Sequence, residues 1–273
     1  HLVPRWRDER LVDFILLFNS INFCYWGEPK WTVDLRWQAY DGAFGMMAAL
    51  TRALDEGYRL LDGASLARIT PAEFRHILRG NVPIPLEAER LAIWHEVGPV
   101  LAREFGGRWH QVVRRAAGSA VRLVELLVTH FPAWDDVAEF EGRRVAFYKR
   151  AQLATGMIYQ AFAGNDWGAF EDFEQLTVYA DYKLPQVLRR LSILVYDEAL
   201  AALVDSQTPL PPGSPAEVEI RAATVWAGEL MRQALLPRAP GLTAAHVDYW
   251  LWETSQYKSP GDLPYHRTLT TAY

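Results

Sequence analysis

Apolar residues recur at helical spacing along most of the chain. In the first such stretch, 9–19, Leu11, Ile15 and Phe18 fall on one face of a helix. The same spacing predicts further helices over 41–57, 71–80, 86–105, 109–117, 121–130, 145–162, 185–193, 196–204, 215–235 and 243–253.

Capping residues define where two of these helices begin. Thr70 precedes a proline and lies three residues before Glu73, which is the pattern of a capping box. Ser214 and Glu217 repeat the pattern and predict a second capping box. The Gly-Pro step at 98–99 predicts a kink within the helix over 86–105.

Strand signals are nearly absent. Apolar and polar residues alternate over 31–38, which predicts a short strand or hairpin near the N-terminus. A doubly wound α/β fold needs strands that alternate with the helices, and the chain lacks them. We therefore predict an all-α or nearly all-α fold in a single domain over 1–273. The proline-rich stretch 209–215 is the one candidate seam.

Composition limits the classes of partner that the protein is expected to bind. The 273 residues carry a net charge of −5, whereas proteins that bind nucleic acid normally present a basic face. This balance favours a small-molecule ligand over a polynucleotide. No apolar run reaches the ~18 residues of a membrane span, and the single cysteine, Cys24, suits a reducing compartment. We expect a cytoplasmic protein without a membrane partner; the oligomeric state is left open.

Common cofactor and metal motifs are missing. The chain has no GxGxxG, GxxxxGK[ST], GxSxG or HExxH pattern, and its seven histidines show no paired metal spacing. We therefore predict neither a metal nor an organic cofactor. Aromatic residues make up 13% of the chain, which fits either a core rich in large rings or a pocket for a flat ligand.

Asp181 is the main candidate for chemistry. It lies in the segment 176–189, between Tyr179 and Tyr182, just before Pro185. A carboxyl group buried in such surroundings can be tuned to act as a general acid or base. The same position also suits an aspartate that caps the helix predicted to start at Pro185. Both interpretations remain open on the sequence alone.

Two basic segments could bind an anion. Lys149 follows two aromatic residues and precedes an arginine, so it could pair with an acid or hold a phosphate. It could equally lie on a solvated helix face. The end of the chain brings together His266, Arg267 and Tyr273, a set that suits a phosphate or a sugar. The alternative for this segment is a frayed tail.

An aromatic loop over 22–27 is the fourth candidate. Phe23, Tyr25 and Trp26 could stack on a planar base, and Asp41 could accept hydrogen bonds from the edge of a guanine-type base. The competing interpretation is a hydrophobic flap over the core.

Together these segments resemble the queuosine salvage protein family, the queuosine 5′-phosphate N-glycosylase/hydrolases. The resemblance runs from about Phe18 to the last residue. It is carried by FNSINFCYWGEPKWTVD, DGAFGMMAALTRALDEG, ITPAEFRHILRGN, FYKRAQL, LTVYADYKLPQVLR and PYHRTLTTAY.

The resemblance implies a helical fold similar to that of helix-hairpin-helix DNA glycosylases. It implies hydrolysis of queuosine 5′-monophosphate to ribose 5-phosphate and queuine, a 7-deazaguanine base salvaged for tRNA modification. Asp181 matches the catalytic acid. Lys149, Tyr273 and Tyr182, the residue after Asp181, are expected to line the pocket. His266 and Arg267 are expected to bind the phosphate. Two alternatives remain: a DNA base-excision glycosylase, and a helical protein that binds a purine-like ligand without catalysis.

Overall fold

The structure is a computed structural model that describes residues 2–257 and 262–273. Helices dominate the described residues, and the predicted fold class, nearly all-α, is confirmed. The helices are α1 Glu9–Ser20, α2 Gly42–Asp55, α3 Gly63–Leu66, α4 Pro71–Ile77, α5 Glu87–Glu104, α6 His110–Ala116, α7 Ala120–His130, α8 Lys149–Ala161, α9 Lys183–Arg190, α10 Glu198–Asp205, α11 Pro215–Leu235 and α12 Ala244–Thr254. In the described ranges, no helix is both long and apolar enough to cross a bilayer.

Helix boundaries follow the local chemistry. The capping box at Thr70 and Glu73 is present, with both reciprocal hydrogen bonds. At the start of α11 the Ser214 cap is present, but the predicted capping box is wrong. The Glu217 carboxylate turns away and accepts a hydrogen bond from the Gly213 N–H at 3.1 Å. Helix α5 is assigned as one continuous helix through Pro99.

The predicted hairpin near the N-terminus is also confirmed. Strands β1 Thr32–Leu35 and β2 Gln38–Asp41 pair antiparallel, with Thr32 opposite Asp41. Arg36 and Trp37 form the turn, and both adopt positive φ. The hairpin ends at Asp41, which is also the N-cap residue of α2.

A second hairpin was not predicted. Strands β3 Val137–Phe140 and β4 Arg143–Ala146 pair antiparallel, so the predicted helix over 145–162 was wrong at its start. Glu141 and Gly142 form the turn at φ of 50° and 72°. The Glu-Gly step between two short alternating runs is the signal that identifies this hairpin.

Two hydrophobic cores form, and one segment passes between them. The larger core contains the buried apolar residues of α1–α8, whereas the smaller one joins α9, α11 and α12. The passing segment, 177–182, carries Asp181. Gln152 of α8 fixes its start by accepting a hydrogen bond from the Thr177 N–H at 2.8 Å.

Two glycines let this segment lie close to its neighbouring helices. A Cβ atom added at Gly156 of α8 would lie 2.0 Å from the Tyr179 hydroxyl. A Cβ atom added at Gly228 of α11 would lie 2.5 Å from a methyl group of Val178. Because these are less than contact distances, helices with larger residues at the two positions would push the segment aside.

We expect Gly228→Ala to lower the free energy of unfolding. Alanine favours the helix by about 0.5–1 kcal/mol, but overpacking against Val178 costs about 1–3 kcal/mol. Urea unfolding measures the net loss. Ala223→Ser, on the exposed side of the same helix, is the control and should change stability by less than about 0.5 kcal/mol. A Gly228→Ala variant more stable than the wild type would contradict the close packing described here.

Candidate active site

A cavity of about 970 Å³ lies where the two cores meet. Residues from the aromatic loop, α2, α8, the segment 177–182, α12 and the end of the chain line it. Eight of the ten predicted site residues are in its wall: Phe23, Tyr25, Trp26, Asp41, Lys149, Asp181, Tyr182 and Tyr273. Residues far apart in the sequence thus form one site, and only His266 and Arg267 fall outside its lining.

Asp181 both caps a helix and lines the cavity. Its Oδ1 atom accepts hydrogen bonds from the backbone N–H groups of Lys183, at 2.7 Å, and Leu184, at 3.1 Å. These groups begin α9, which starts two residues before the predicted Pro185. The side chain is buried. The capping and the chemical interpretations are therefore compatible, because the helix start holds the carboxyl group at the cavity wall.

Lys149 is buried in the same wall and does not lie on a solvated helix face. Its backbone N–H donates to Asp136 Oδ2 at 3.0 Å, which fixes the start of α8. Burial lowers the pKa of the ammonium group, whereas the negative charges of Asp181 and Asp248 act to raise it. The lysine and the two acids therefore influence one another electrostatically across the cavity.

Asp248 is an acid that the sequence did not single out. It comes from α12, is buried and lines the cavity. Its Oδ2 atom accepts a hydrogen bond from the Tyr179 N–H at 2.7 Å. Burial raises the pKa of this carboxyl group to about 8, and Asp181 adds to the rise. The only sequence signal was a lone acid inside an aromatic helical run, which is too common to be diagnostic.

Aromatic rings form much of the remaining wall. The Tyr182 ring lies 4.8 Å from that of Tyr265 and 6.5 Å from that of Tyr273. Tyr25 and Trp26 are half-buried and face the same space. Phe23 is almost fully buried, so it belongs to the core as well as to the cavity wall. The base-stacking and hydrophobic-flap interpretations thus each hold for part of the loop.

Two buried arginines hold the aromatic loop in place. Arg90 donates hydrogen bonds to the backbone carbonyls of Ile21, Phe23 and Cys24. Arg150 donates to the carbonyls of Asn19 and Ser20, at the end of α1 just before the loop. Both guanidinium groups also approach the Phe23 ring, at 4.2 Å for Arg90 and 5.2 Å for Arg150. The loop is therefore anchored through its backbone, which leaves its outer rings to face the cavity.

His266 and Arg267, which were predicted to contact the phosphate, lie outside the cavity lining. His266 is buried outside the cavity lining, with Nε2 3.2 Å from the Tyr273 hydroxyl. Burial, together with the charge of Arg221, lowers the pKa of this imidazole to about 3. It is therefore neutral near pH 7 and carries no charge for a phosphate. The guanidinium of Arg267 lies 5.6 Å from the Trp26 ring centroid, also outside the lining.

The end of the chain is packed, not frayed. The Tyr273 carbonyl accepts a hydrogen bond from the Cys24 N–H at 2.8 Å, and the Arg267 carbonyl accepts one from the Leu210 N–H at 2.7 Å. Tyr273 and Tyr265 both reach the cavity. The described part of this segment, 262–273, thus forms a wall of the site.

Two other lysines line the cavity. The Lys30 ammonium lies 3.3 Å from Asp41 Oδ2 in a solvent-exposed ion pair. The Lys183 ammonium lies 5.0 Å from the centroid of the Tyr265 ring. The charge of Lys30 also acts to lower the pKa of the Tyr265 phenol, although burial raises that pKa overall. Both cations thus act on Tyr265, one by direct contact with its ring and the other through its charge.

Within residues 2–257 and 262–273, no group of three or more acidic, histidine or cysteine side chains has an arrangement suited to a metal ion.

The model of the queuosine salvage protein family matches residues 2–273. This chain belongs to that family.

Queuosine salvage relatives occur in bacteria and in animals. A protein from Sphaerobacter thermophilus is 46% identical over 270 residues, which cover 98% of this chain and 84% of the relative. Proteins from Bos taurus and Mus musculus are each 36% identical over 287 residues, covering all of this chain and 84% and 85% of the relatives. All three carry the name queuosine 5′-phosphate N-glycosylase/hydrolase.

We expect Asp248 to make the fold less stable as pH rises. In the unfolded chain its carboxyl group ionises near pH 4, whereas in the fold it keeps its proton up to about pH 8. The stabilising effect is therefore complete below pH 4 and is lost as pH rises to 8. Asp248→Asn should flatten this part of the pH profile of the free energy of unfolding, measured by urea titration. Equal slopes for variant and wild type would contradict the assignment.

Proposed function

We propose that this protein is an N-glycosidase that hydrolyses queuosine 5′-phosphate to queuine and ribose 5-phosphate. The names of the family relatives support this substrate. The observation that carries the proposal is the position of Asp181, a carboxyl group held by a helix start in an aromatic cavity beside Lys149 and Asp248.

The reaction builds positive charge on the ribose and negative charge on the departing base. The Asp181 carboxylate would stabilise the developing charge at C1′ and take a proton from the attacking water. The water oxygen bonds to C1′ as the bond from C1′ to the base nitrogen breaks. The departing base must then gain a proton.

Asp248 is our candidate for the group that supplies this proton. A 7-deazaguanine has carbon in place of N7, so it cannot be activated by protonation there. With a pKa of about 8, Asp248 carries a proton near pH 7 and can donate it to another atom of the base. Lys149 would balance the negative charge of Asp181. Their contrasting environments therefore suit a pair with separate roles.

The aromatic residues of the cavity wall would hold the base. Tyr25, Trp26 and Tyr182 offer ring faces or edges to a planar ligand, and Phe23 supports the loop from behind. Asp41 was predicted to contact the base edge. Because it pairs with Lys30, we now propose that it orients this lysine instead.

We place the 5′-phosphate at Lys30 and Lys183, beside Tyr265. Both side chains line the cavity and carry the positive charge that the buried, neutral His266 lacks. Contacts to the phosphate, remote from C1′, would orient the ribose for reaction.

The competing functions have less support. A DNA glycosylase would need a basic surface, and the net charge is −5. A binding protein without catalysis has no evident use for two acids and a lysine in one cavity. We also infer a single domain, a fold related to helix-hairpin-helix DNA glycosylases, and a cytoplasmic location, all of which stay predictions.

Asp181→Asn should reduce turnover by about 10²–10³-fold or more, because it removes the charge that faces C1′. Asparagine keeps the size and can still accept the two N–H bonds that begin α9. Release of queuine from queuosine 5′-phosphate, followed by chromatography, measures the effect. Asp197→Asn is the control, since the Asp197 carboxylate also accepts a backbone N–H at a helix start, from Leu200 of α10 at 2.8 Å, but on the exposed surface. Full turnover by Asp181→Asn would exclude the catalytic role.

Lys30→Met and Lys183→Met should each lower kcat/KM for the nucleotide by about 10–100-fold, the worth of one charge-assisted hydrogen bond. Hydrolysis of the nucleoside queuosine, which lacks the phosphate, should change by less than about threefold. Arg238→Met removes an exposed cation outside the cavity lining, so it serves as the comparison and should affect neither substrate. Equal losses for nucleotide and nucleoside would argue against a phosphate site at these lysines.

A further inference from the structure

One buried ion pair lies directly behind the cavity. Arg221 of α11 donates to both carboxylate oxygens of Asp136, from Nη1 to Oδ1 at 2.8 Å and from Nη2 to Oδ2 at 2.6 Å. Both side chains are buried, and neither lines the cavity. The pair therefore does not touch a ligand in that space.

Each member of the pair holds one of the residues that carry the proposed chemistry. Asp136 Oδ2 also accepts a hydrogen bond from the backbone N–H of Lys149 at 3.0 Å. Arg221 Nε donates to the carbonyl of Ala180, the residue before Asp181, at 3.1 Å. The backbones at Lys149 and at Asp181 are thus connected through a single guanidinium–carboxylate unit.

The guanidinium group has little freedom to move. The Phe147 and Tyr273 rings lie 4.0 Å and 4.4 Å from its central carbon. Glu217, one helical turn earlier, lies 3.6 Å from Nη1. A planar fork with fixed donor directions suits this role, because a lysine could not make the two parallel bonds and the third to Ala180 at once.

We propose that Arg221 and Asp136 are positioning residues that set the spacing between Lys149 and Asp181. This inference rests on the proposed function. A buried ion pair is weak evidence for added stability, since the cost of removing both charges from water offsets much of their attraction. Its value here lies in geometry: the pair joins α8, α11 and the segment that carries the catalytic carboxylate.

Asp136→Asn tests the inference with little change in shape. Asparagine can accept the Lys149 N–H bond but loses the charge and one of the paired bonds to Arg221. We expect kcat for queuosine 5′-phosphate to fall by about 10–100-fold, because a shift of about 1 Å at the reacting groups can cost ~10²-fold. KM should change by less than about threefold, since the residues that contact the substrate are intact.

The matched control is Asp13→Asn. Asp13 is also fully buried, accepts the backbone N–H of His110 at 2.7 Å and lies 3.5 Å from the Arg108 guanidinium, outside the cavity lining. It should lower the melting temperature and leave kcat unchanged. If Asp136→Asn also loses only thermal stability and keeps its kcat, the positioning role is wrong.

Arg221→Lys provides a second variant if Asp136→Asn does not fold. It keeps the charge and loses the fork, so kcat measured below its melting temperature should again fall by about tenfold or more. An unchanged kcat in this variant would overturn the inference. Release of queuine by the wild-type protein is measured first. Its absence would reject the proposed function together with the inference, whereas wild-type turnover with unaffected variants would reject the inference alone.

Discussion

The bidentate pair between Arg221 and Asp136 is the contact on which the geometry of the site depends. Both charged groups lie in the interior, out of contact with water. Such a pair is stable only when its geometry is good and further hydrogen bonds satisfy its remaining polar atoms. Three structural units meet there: the start of α8, the middle of α11 and the segment 177–182. The two hydrophobic cores position these units roughly, and the ion pair fixes their relative position at the cavity.

The segment 177–182 has to satisfy several constraints in a few residues. Gln152 fixes the start of the segment, and Gly156 and Gly228 leave room for it. Near its end, the Asp181 carboxylate accepts hydrogen bonds from the first N–H groups of α9. A residue that both caps a helix and faces a cavity gains a defined orientation from the cap. The capping role of Asp181 and its proposed chemistry therefore support each other.

Local structure was predicted in part from the sequence. The Thr70 cap and the first hairpin depend on neighbouring residues, so their patterns were sufficient, whereas the second hairpin was missed because Val145 and Ala146 were read as the start of a helix. Contacts between distant segments leave no such local pattern. Asp248 was missed because its importance comes from packing against the segment 177–182, a contact between residues far apart in sequence. The burial of His266 could not be predicted for the same reason, since only the fold reveals that its side chain is buried and its imidazole neutral.

The most direct test of the account is a structure of the Asp181→Asn variant with queuosine 5′-phosphate bound. The distance to measure is that from the side chain at position 181 to C1′ of the ribose. We predict roughly 3–4 Å, the separation of a group that acts on the reacting atom. A ligand bound with C1′ more than about 6 Å away, on the side of Lys30, would contradict the assignment of Asp181 as the catalytic carboxylate.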